Sequence, residues 1–481
     1  MRILFLANEI KPFSNSHNIG EVCGDLPKSL KFLKHDIRVI TPRYRYIRER
    51  QFGLREVARL KSLSVKFGDH EQDCSIKSGF LPKSKVQVYF IDNRALFHPS
   101  PSEKDSSIEL KSSEEYLRSG FLCYSALELM LLLQWFPDII HVNDWQTALV
   151  PYLSQKNERY SAHFKDTISC LQISGVSTEG VFSSEQLHEI GITDENTNSQ
   201  EMQKDSKLTS ILEIGLKYAD RVVFSNKSTF NYFRKKSNKL TTNTNSSDGR
   251  IYPQIVIEPG IESQWCPESD PFIESNLTAE NPSSDKEDNR VSLLKDLELE
   301  INLSMPIIAV FFENLDERGK KLFVESFADL SKLDAQWIFL SGSEENVNEF
   351  SNIIENMERK PVVLTELNKE KKHRIVAGSD YFLRISEKTD RCANPLYCLA
   401  YGTIPVVNVF DDSGSFLTET VDNPEKSNCV LIDDLSTQSV VDAISRSVRY
   451  FNAKNVWSQF QTNAIELDLT WSFAAEQLVN V

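Results

Sequence analysis

The chain has 481 residues, 40% of them hydrophobic and 26% charged, a composition typical of a protein that buries a core. It is too long for one ordinary core, so we expect two α/β domains of about 200 residues each. The formal net charge of −15 argues against a nucleic-acid partner, because binding phosphate backbones needs a basic surface.

The first half of the chain alternates apolar strands with segments of helical periodicity. The pattern predicts strands at 1–8, 36–42, 86–91, 137–141 and 221–225, and helices at 26–33, 116–135 and 208–219. Alternation of this kind predicts a parallel sheet covered by helices.

A second series of elements begins near residue 306. The predicted strands are 306–312, 336–340, 361–364, 381–385 and 403–407, and the predicted helices are 321–330 and 395–400. Two such series predict an α/β protein with two facing, doubly wound, Rossmann-like domains, whose ligands bind beyond the carboxyl ends of the strands. Polar stretches at 100–115, 193–207, 235–249 and 270–289 are predicted as loops.

Targeting, redox and metal signals are weak. The N-terminal apolar run is short and leads directly into Glu9 and Lys11, unlike a signal peptide, and no stretch approaches the roughly 20 apolar residues that span a membrane. The eight cysteines form no Cys-x-x-Cys pair, which indicates free thiols in a reducing cytoplasm. We therefore expect a cytoplasmic protein with no membrane contact, no metal and no cofactor.

Short motifs occur in a fixed order along nearly the whole chain. Two of them are His141-Val142-Asn143-Asp144-Trp145 and Tyr401-Gly402-Thr403-Ile404-Pro405. Together with motifs at 8–12, 24–30, 35–39, 179–182, 218–222, 259–262 and 468–472, they make the chain similar to the ADP-glucose-dependent bacterial glycogen synthases and plant starch synthases, family 5 glycosyltransferases of the GT-B fold.

The resemblance implies a domain plan and a set of ligands. Residues 1–258 would form the acceptor-side domain, residues 259–455 the nucleotide-side domain, and residues 456–481 a helical segment that crosses back to the first domain. The implied partners are an α-1,4-glucan or maltooligosaccharide and ADP-glucose, with a partner synthase as a further possibility.

Retaining glucosyl transfer builds negative charge on the departing diphosphate, which fixed cations and N–H donors must meet. Where the family carries a loop lysine, a glucose-holding histidine, an arginine and a glutamate, this chain has Asn15, Ser174, Glu313 and Thr389. A one-residue shift would bring Asp390 to the glutamate position. The family's lysine on the same loop as Glu313 becomes Arg318. The chain has only 17 glycines, and this low number also argues against intact phosphate-binding loops.

The sequence therefore supports two main hypotheses. The first is a catalytically impaired synthase homologue that binds glucan or regulates its metabolism. The second is an active glucosyltransferase that uses Asp144, Arg318 and Asp390, and a transferase with a changed donor is a third alternative.

Several candidate residues also have structural explanations. Asp144 and Trp145 follow a strand end and are candidates for the glucan site, but a helix-capping Asp and a core Trp would give the same pattern. His141 is expected to be a hydrogen-bonded residue at a strand end. The segment 43–50, with four arginines, fits an anion or glucan surface, although we expect a solvated loop edge.

Overall fold

The structure is a computed structural model of the full chain. It describes residues 1–14, 19–57, 60–98, 114–175, 180–193, 208–236, 254–257, 260–262, 264–277, 282–312, 315–341, 354, 360–366, 368–386, 394–408 and 416–480. The chain divides into two compact units: Met1–Ser225 with Thr229–Pro259 and Trp471–Val481, and Gly260–Thr470 with Asn226–Ser228.

The first unit is built on a mostly parallel sheet of ten strands. Its order is β12-β11-β8-β7-β1-β2-β6-β5-β3, and β4 pairs with β5. The strands are β1 (Arg2–Leu6), β2 (Asp36–Pro42), β3 (Arg55–Glu56), β4 (Leu63–Phe67), β5 (His70–Phe80), β6 (Gln87–Asp92), β7 (Ile139–Asn143), β8 (Ile168–Ile173), β11 (Arg221–Phe224) and β12 (Gln254–Val256), while β9 (Val181–Ser183) and β10 (Leu208–Ser210) form a separate antiparallel pair.

The strand order places a topological switch point in this sheet. From β1 the chain adds β2 and β6 on one side, and it then returns to add β7, β8, β11 and β12 on the other. The carboxyl ends of β1 and β7 therefore border the crevice where doubly wound sheets bind ligands.

The second unit contains a six-stranded, fully parallel sheet in the order β15-β14-β13-β16-β17-β18. The strands are β13 (Ile307–Phe311), β14 (Gln336–Leu340), β15 (Val362–Leu364), β16 (Tyr381–Arg384), β17 (Ile404–Asn408) and β18 (Val430–Ile432). All residues of β13 and β17 are buried, as expected for central strands covered on both faces. The switch point here lies between β13 and β16.

Helices cover both sheets. They are α1 (Ile19–Phe32), α2 (Glu49–Phe52), α3 (Arg94–Phe97), α4 (Glu115–Leu133), α5 (Val150–Lys156), α6 (Glu158–Ser161), α7 (Ser184–Glu189), α8 (Ile211–Tyr218), α9 (Lys227–Lys236), α10 (Pro282–Asp296), α11 (Glu317–Leu330), α12 (Lys369–Gly378), α13 (Asn394–Ala400), α14 (Thr437–Asn452), α15 (Lys454–Ile465) and α16 (Trp471–Val479). The predicted α/β class with parallel sheets is confirmed.

Helix α4 has the length and apolar composition of a membrane span, with a mean hydropathy of 1.3 over 18 residues. However, 78% of that window is buried inside the protein, and Phe121, Leu127 and Met130 belong to the core of the first unit. Within the described residues it is the only helix of this kind, and its burial is that of a core helix.

The predicted loop at 270–289 is wrong in its second half, because α10 begins at Pro282. Lys286 and Arg290 are buried there because each finds a partner. The Lys286 Nζ donates to the carbonyl of Tyr401 at 2.9 Å, and the Arg290 Nε lies 2.9 Å from Asp380 Oδ2. Polar side chains that meet fixed acceptors can enter a core, which composition alone does not reveal.

The predicted returning segment begins later than residue 456. Trp457, Phe460 and Ala464 of α15 are buried in the core of the second unit, and this unit extends to Thr470. The segment that belongs to the first unit is α16, which packs against α1. The physical reason for the shift is that the apolar face of α15 is already covered by the second unit.

Candidate functional site

Asp144 lies at the switch point of the first unit, directly after β7. Its backbone has φ +56° and ψ −176°, an unusual conformation for a residue with a side chain. The Asp144 N–H donates to the carbonyl of Gln172 at 2.9 Å, and its Oδ1 accepts the N–H of Ser174 at 2.7 Å. The carboxylate does not cap the short helical turn that follows; it fixes the end of β8.

Ser174 follows β8 and is brought next to Asp144. Its hydroxyl oxygen is buried, and the described part of the chain offers it no hydrogen-bond partner. The backbone amide, not the side chain, makes the contact to Asp144. The position that the resemblance assigns to a glucose-holding imidazole is therefore held in place whatever side chain it carries.

Trp145 is packed beneath the site. Its side chain is 4% exposed, it lies 5.7 Å from the ring of Phe182, and one face meets Gly180, where a Cβ would come within 2.7 Å of the indole. Gly180 also has φ +83°, so a side chain there would be strained as well. This arrangement fits the alternative that Trp145 is a core residue. Trp145 would therefore pack under a bound ligand and would not stack on it.

His141 is fully buried in the centre of β7 and stacks on Phe5, with ring centroids 4.5 Å apart. Burial lowers its pKa to about 3, so the imidazole is neutral near pH 7. Neither ring nitrogen finds a partner among the described residues, so the expected hydrogen-bonded role is wrong. A general-base role is excluded by the same burial.

Residues from the segment 43–50 and from the motif at 8–12 complete this edge. The Tyr44 hydroxyl donates to Asn8 Oδ1 at 2.6 Å, just beyond β1, and Tyr46 stacks on Tyr44 with ring centroids 5.6 Å apart. Tyr46 is 42% exposed, so one aromatic face is open to solvent. Glu9 is 1% exposed at the same strand end. The two tyrosines alternate with arginines, and the sequence analysis therefore left a glucan surface and a solvated loop edge as alternatives for this segment.

Cys23 is a buried residue of α1. Burial raises the pKa of its thiol well above the usual value, and the nearby carboxylates of Asp144 and Glu9 raise it further. The thiol is therefore protonated at neutral pH and cannot act as a nucleophile.

In the second unit, Asp316 links the two strands of the switch point. It caps α11 by accepting the Gly319 N–H at 2.8 Å, and its other carboxylate oxygen accepts the Ser386 hydroxyl at 3.1 Å. Gly319 is required because a Cβ would lie 2.0 Å from the carbonyl oxygen of Ile385. An Asp directly before the first residue of a helix is an N-cap signal, and it could have identified this residue.

Arg318 is the second residue of α11, and its side chain is exposed. It therefore lies in the first turn of a helix at the switch point, where backbone N–H groups favour anions. The candidates Asn15, Glu313, Thr389 and Asp390 lie outside the described residues, and their predicted roles stay predictions.

Comparisons with solved structures establish the type of fold. The catalytic domain of starch synthase IV from Arabidopsis thaliana superposes with a TM-score of 0.76 at 20% identity, covering 100% of this chain and 98% of that one. Sucrose-phosphate synthase from Thermosynechococcus elongatus gives a TM-score of 0.56 at 10% identity, with coverage of 100% and 97%. The chain has the GT-B glycosyltransferase fold.

Sequence comparisons show which proteins the chain resembles. Residues 2–232 match the family described as the starch synthase catalytic domain. Glycogen synthase from Chlorobaculum parvum is 27% identical over 99% of this chain and 97% of its own length, and glycogen synthase from Thermotoga maritima is 26% identical over 100% and 98%. The chain is thus similar, over 99–100% of its residues, to proteins named glycogen synthase, and the resemblance found in the sequence is confirmed at that level.

Proposed function

We propose that the protein binds an α-1,4-glucan or maltooligosaccharide through its first unit and transfers glucose from ADP-glucose far more slowly than ordinary glycogen synthases, or not at all. The observation that carries the proposal is position 174, where a buried hydroxyl without a described partner stands in place of an imidazole. A serine hydroxyl is too short to replace a ring that reaches into the crevice.

The other substitutions point in the same direction. Asn15 and Thr389 remove a cation and a carboxylate that the resemblance implies, and Glu313 would repel a diphosphate. Loss of one preorganised donor typically costs about 3–4 kcal/mol of transition-state stabilisation. Such losses are not additive, yet even a part of their sum removes most of the useful rate enhancement.

Glucan binding is supported by the surface features that remain. Tyr46 offers an exposed aromatic face supported by Tyr44, and sugar rings pack well on such faces. Asp144 lies at the same edge of the sheet, and a carboxylate is a hydrogen-bond acceptor suited to sugar hydroxyl groups. The solved starch synthase IV was bound to ADP and acarbose, which makes nucleotide and saccharide the appropriate ligands to test.

The alternative is an active ADP-glucose:α-1,4-glucan glucosyltransferase with Asp144, Arg318 and Asp390 in catalytic roles. Similarity over the whole length to relatives named glycogen synthase favours this alternative. The helix start that carries Arg318 also remains well formed, with Asp316 as its cap. A cytoplasmic location and a partner synthase remain predictions under either function.

Two measurements separate the alternatives. Isothermal titration calorimetry with maltooligosaccharide and, separately, with ADP-glucose is expected to show saccharide binding and weak or absent nucleotide binding. ADP-glucose-dependent elongation of glycogen at a rate near that of ordinary synthases would contradict the proposal. If elongation is found, Asp390→Ala should abolish it, and an unchanged rate would remove that residue from the alternative.

A further inference from the structure

A surface cavity lies in the first unit, and its lining residues differ from those that contact Asp144. It has a volume of about 570 Å³ and is lined by Arg43 and Arg48 of the connection after β2 and by Glu49, Arg50 and Gln51 of α2. Ligand pockets typically measure about 300–1,000 Å³. Three of the four arginines in the segment that the sequence suggested as a loop edge therefore line an open depression whose volume would accommodate a small ligand.

Arg43 lines this cavity and is held in place by three side chains. Its guanidinium Nη2 lies 2.8 Å from Glu49 Oε1, and its Nη1 lies 3.4 Å from Asp92 Oδ1 and 2.9 Å from His98 Nε2. The side chain is only 13% exposed. Its position is thus set by the protein and does not depend on a ligand.

The carboxylates near the cavity are already matched by cations. Glu49 contacts both Arg43 and Lys77, and Asp92 Oδ2 lies 3.3 Å from the Nζ of Lys77. The charges of these two carboxylates and of the two cations Arg43 and Lys77 sum to zero. Arg48 and Arg50 add two further positive charges. Both are exposed, and neither has an ion pair in the described part of the chain.

This surplus of positive charge stands out in a chain of net charge −15. One guanidinium group can donate two parallel hydrogen bonds to two oxygens of a phosphate, and it stays positively charged at any physiological pH. Gln51 adds an amide that can both donate to and accept from a hydroxyl group. The lining therefore combines groups suited to a phosphate with one suited to a polyol.

We propose that the cavity formed by residues 43–51 binds a small phosphorylated ligand, either a sugar phosphate or inorganic phosphate. The cavity adjoins the glucan edge, because Tyr44 and Tyr46 of that edge lie in the chain between the lining residues Arg43 and Arg48, and Tyr44 donates to Asn8 beyond the end of β1. A ligand held by Arg48 and Arg50 would order the segment that also carries Tyr46.

The test is calorimetric titration of the full chain with inorganic phosphate, glucose 1-phosphate and free glucose. Arg48→Ala/Arg50→Ala should weaken binding of the phosphorylated probes at least about tenfold. A control with the same charge change, Arg2→Ala/Lys165→Ala, removes two exposed cations elsewhere in the unit and should leave binding unchanged. Free glucose should not bind at this site.

The probes distinguish the two ligand sources. Tighter binding of glucose 1-phosphate than of inorganic phosphate, reduced by Gln51→Ala, would identify a sugar phosphate; equal binding would identify the free oxyanion. Failure of both phosphorylated probes to bind, or equal binding by the wild type and the Arg48→Ala/Arg50→Ala variant, would overturn the proposal. Circular dichroism of each variant would show that the fold is retained.

Discussion

Asp144 both destabilises and stabilises the first unit, through backbone strain and through a hydrogen bond, respectively. Its backbone conformation is close to a region that glycine alone occupies at low cost, while its carboxylate accepts the Ser174 N–H at 2.7 Å. Strain of this kind costs about 1–3 kcal/mol, and a hydrogen bond to a charged group contributes about 1.5–3 kcal/mol. Substitutions can separate the two.

Asp144→Ala removes the hydrogen bond and keeps the strain, so it should destabilise the first unit by about 1.5–3 kcal/mol. Asp144→Gly removes the same bond but releases the strain, against about 0.4–1 kcal/mol of extra entropy in the unfolded chain. The glycine variant should therefore be about 1–2 kcal/mol more stable than the alanine variant.

Differential scanning calorimetry measures this difference. For a unit of this size, 1 kcal/mol corresponds to about 2–4 °C in Tm, so the glycine variant should unfold about 2–8 °C above the alanine variant. Asp138 provides a control at the other end of β7, because its carboxylate accepts the Arg2 N–H at 2.7 Å and its φ is not positive. There, glycine should be the less stable variant. A Tm for Asp144→Gly equal to or below that of Asp144→Ala would refute the reasoning.

Three further predictions follow from local geometry. Gly319→Ala should destabilise the second unit by about 2–3 kcal/mol in denaturant unfolding, because the new Cβ would overlap the Ile385 carbonyl. Burial lowers the pKa of Lys286 from 10.5 to about 7, so between these two values the unfolded state holds one proton more than the folded state. Stability should therefore rise as the pH rises above about 7, and Lys286→Met should abolish this rise. Tyr46→Ala should weaken maltooligosaccharide binding about tenfold in calorimetry, whereas Phe32→Ala, exposed on α1, should not.

Strand positions were predictable where an apolar run is bounded by polar residues. The strands at 36–42 and 336–340 agree with β2 and β14 to the residue. Helix α10 was missed because Lys286, Asn289 and Arg290 look like loop residues until their distant partners are known. Local pattern cannot supply the acceptor that makes burial of a lysine possible.

The candidate site was predictable only in part for a related reason. Asp144 could be placed at a strand end, and a ligand crevice at that edge followed from the strand order. Its contact with Ser174 depends on the pairing of β7 with β8, where Asn143 lies opposite Gln172. That register follows from packing of the whole sheet, so no single motif contained it.

The two switch points are held by the same type of contact, in which an aspartate accepts a hydrogen bond from a serine after the neighbouring strand. Asp144 follows β7 and accepts from Ser174 after the neighbouring β8; Asp316 follows β13 and accepts from Ser386 after the neighbouring β16. In the first case the donor is a backbone N–H, which every residue except proline supplies. The loop geometry at position 174 therefore does not depend on an imidazole, and a serine can occupy that position while the fold persists.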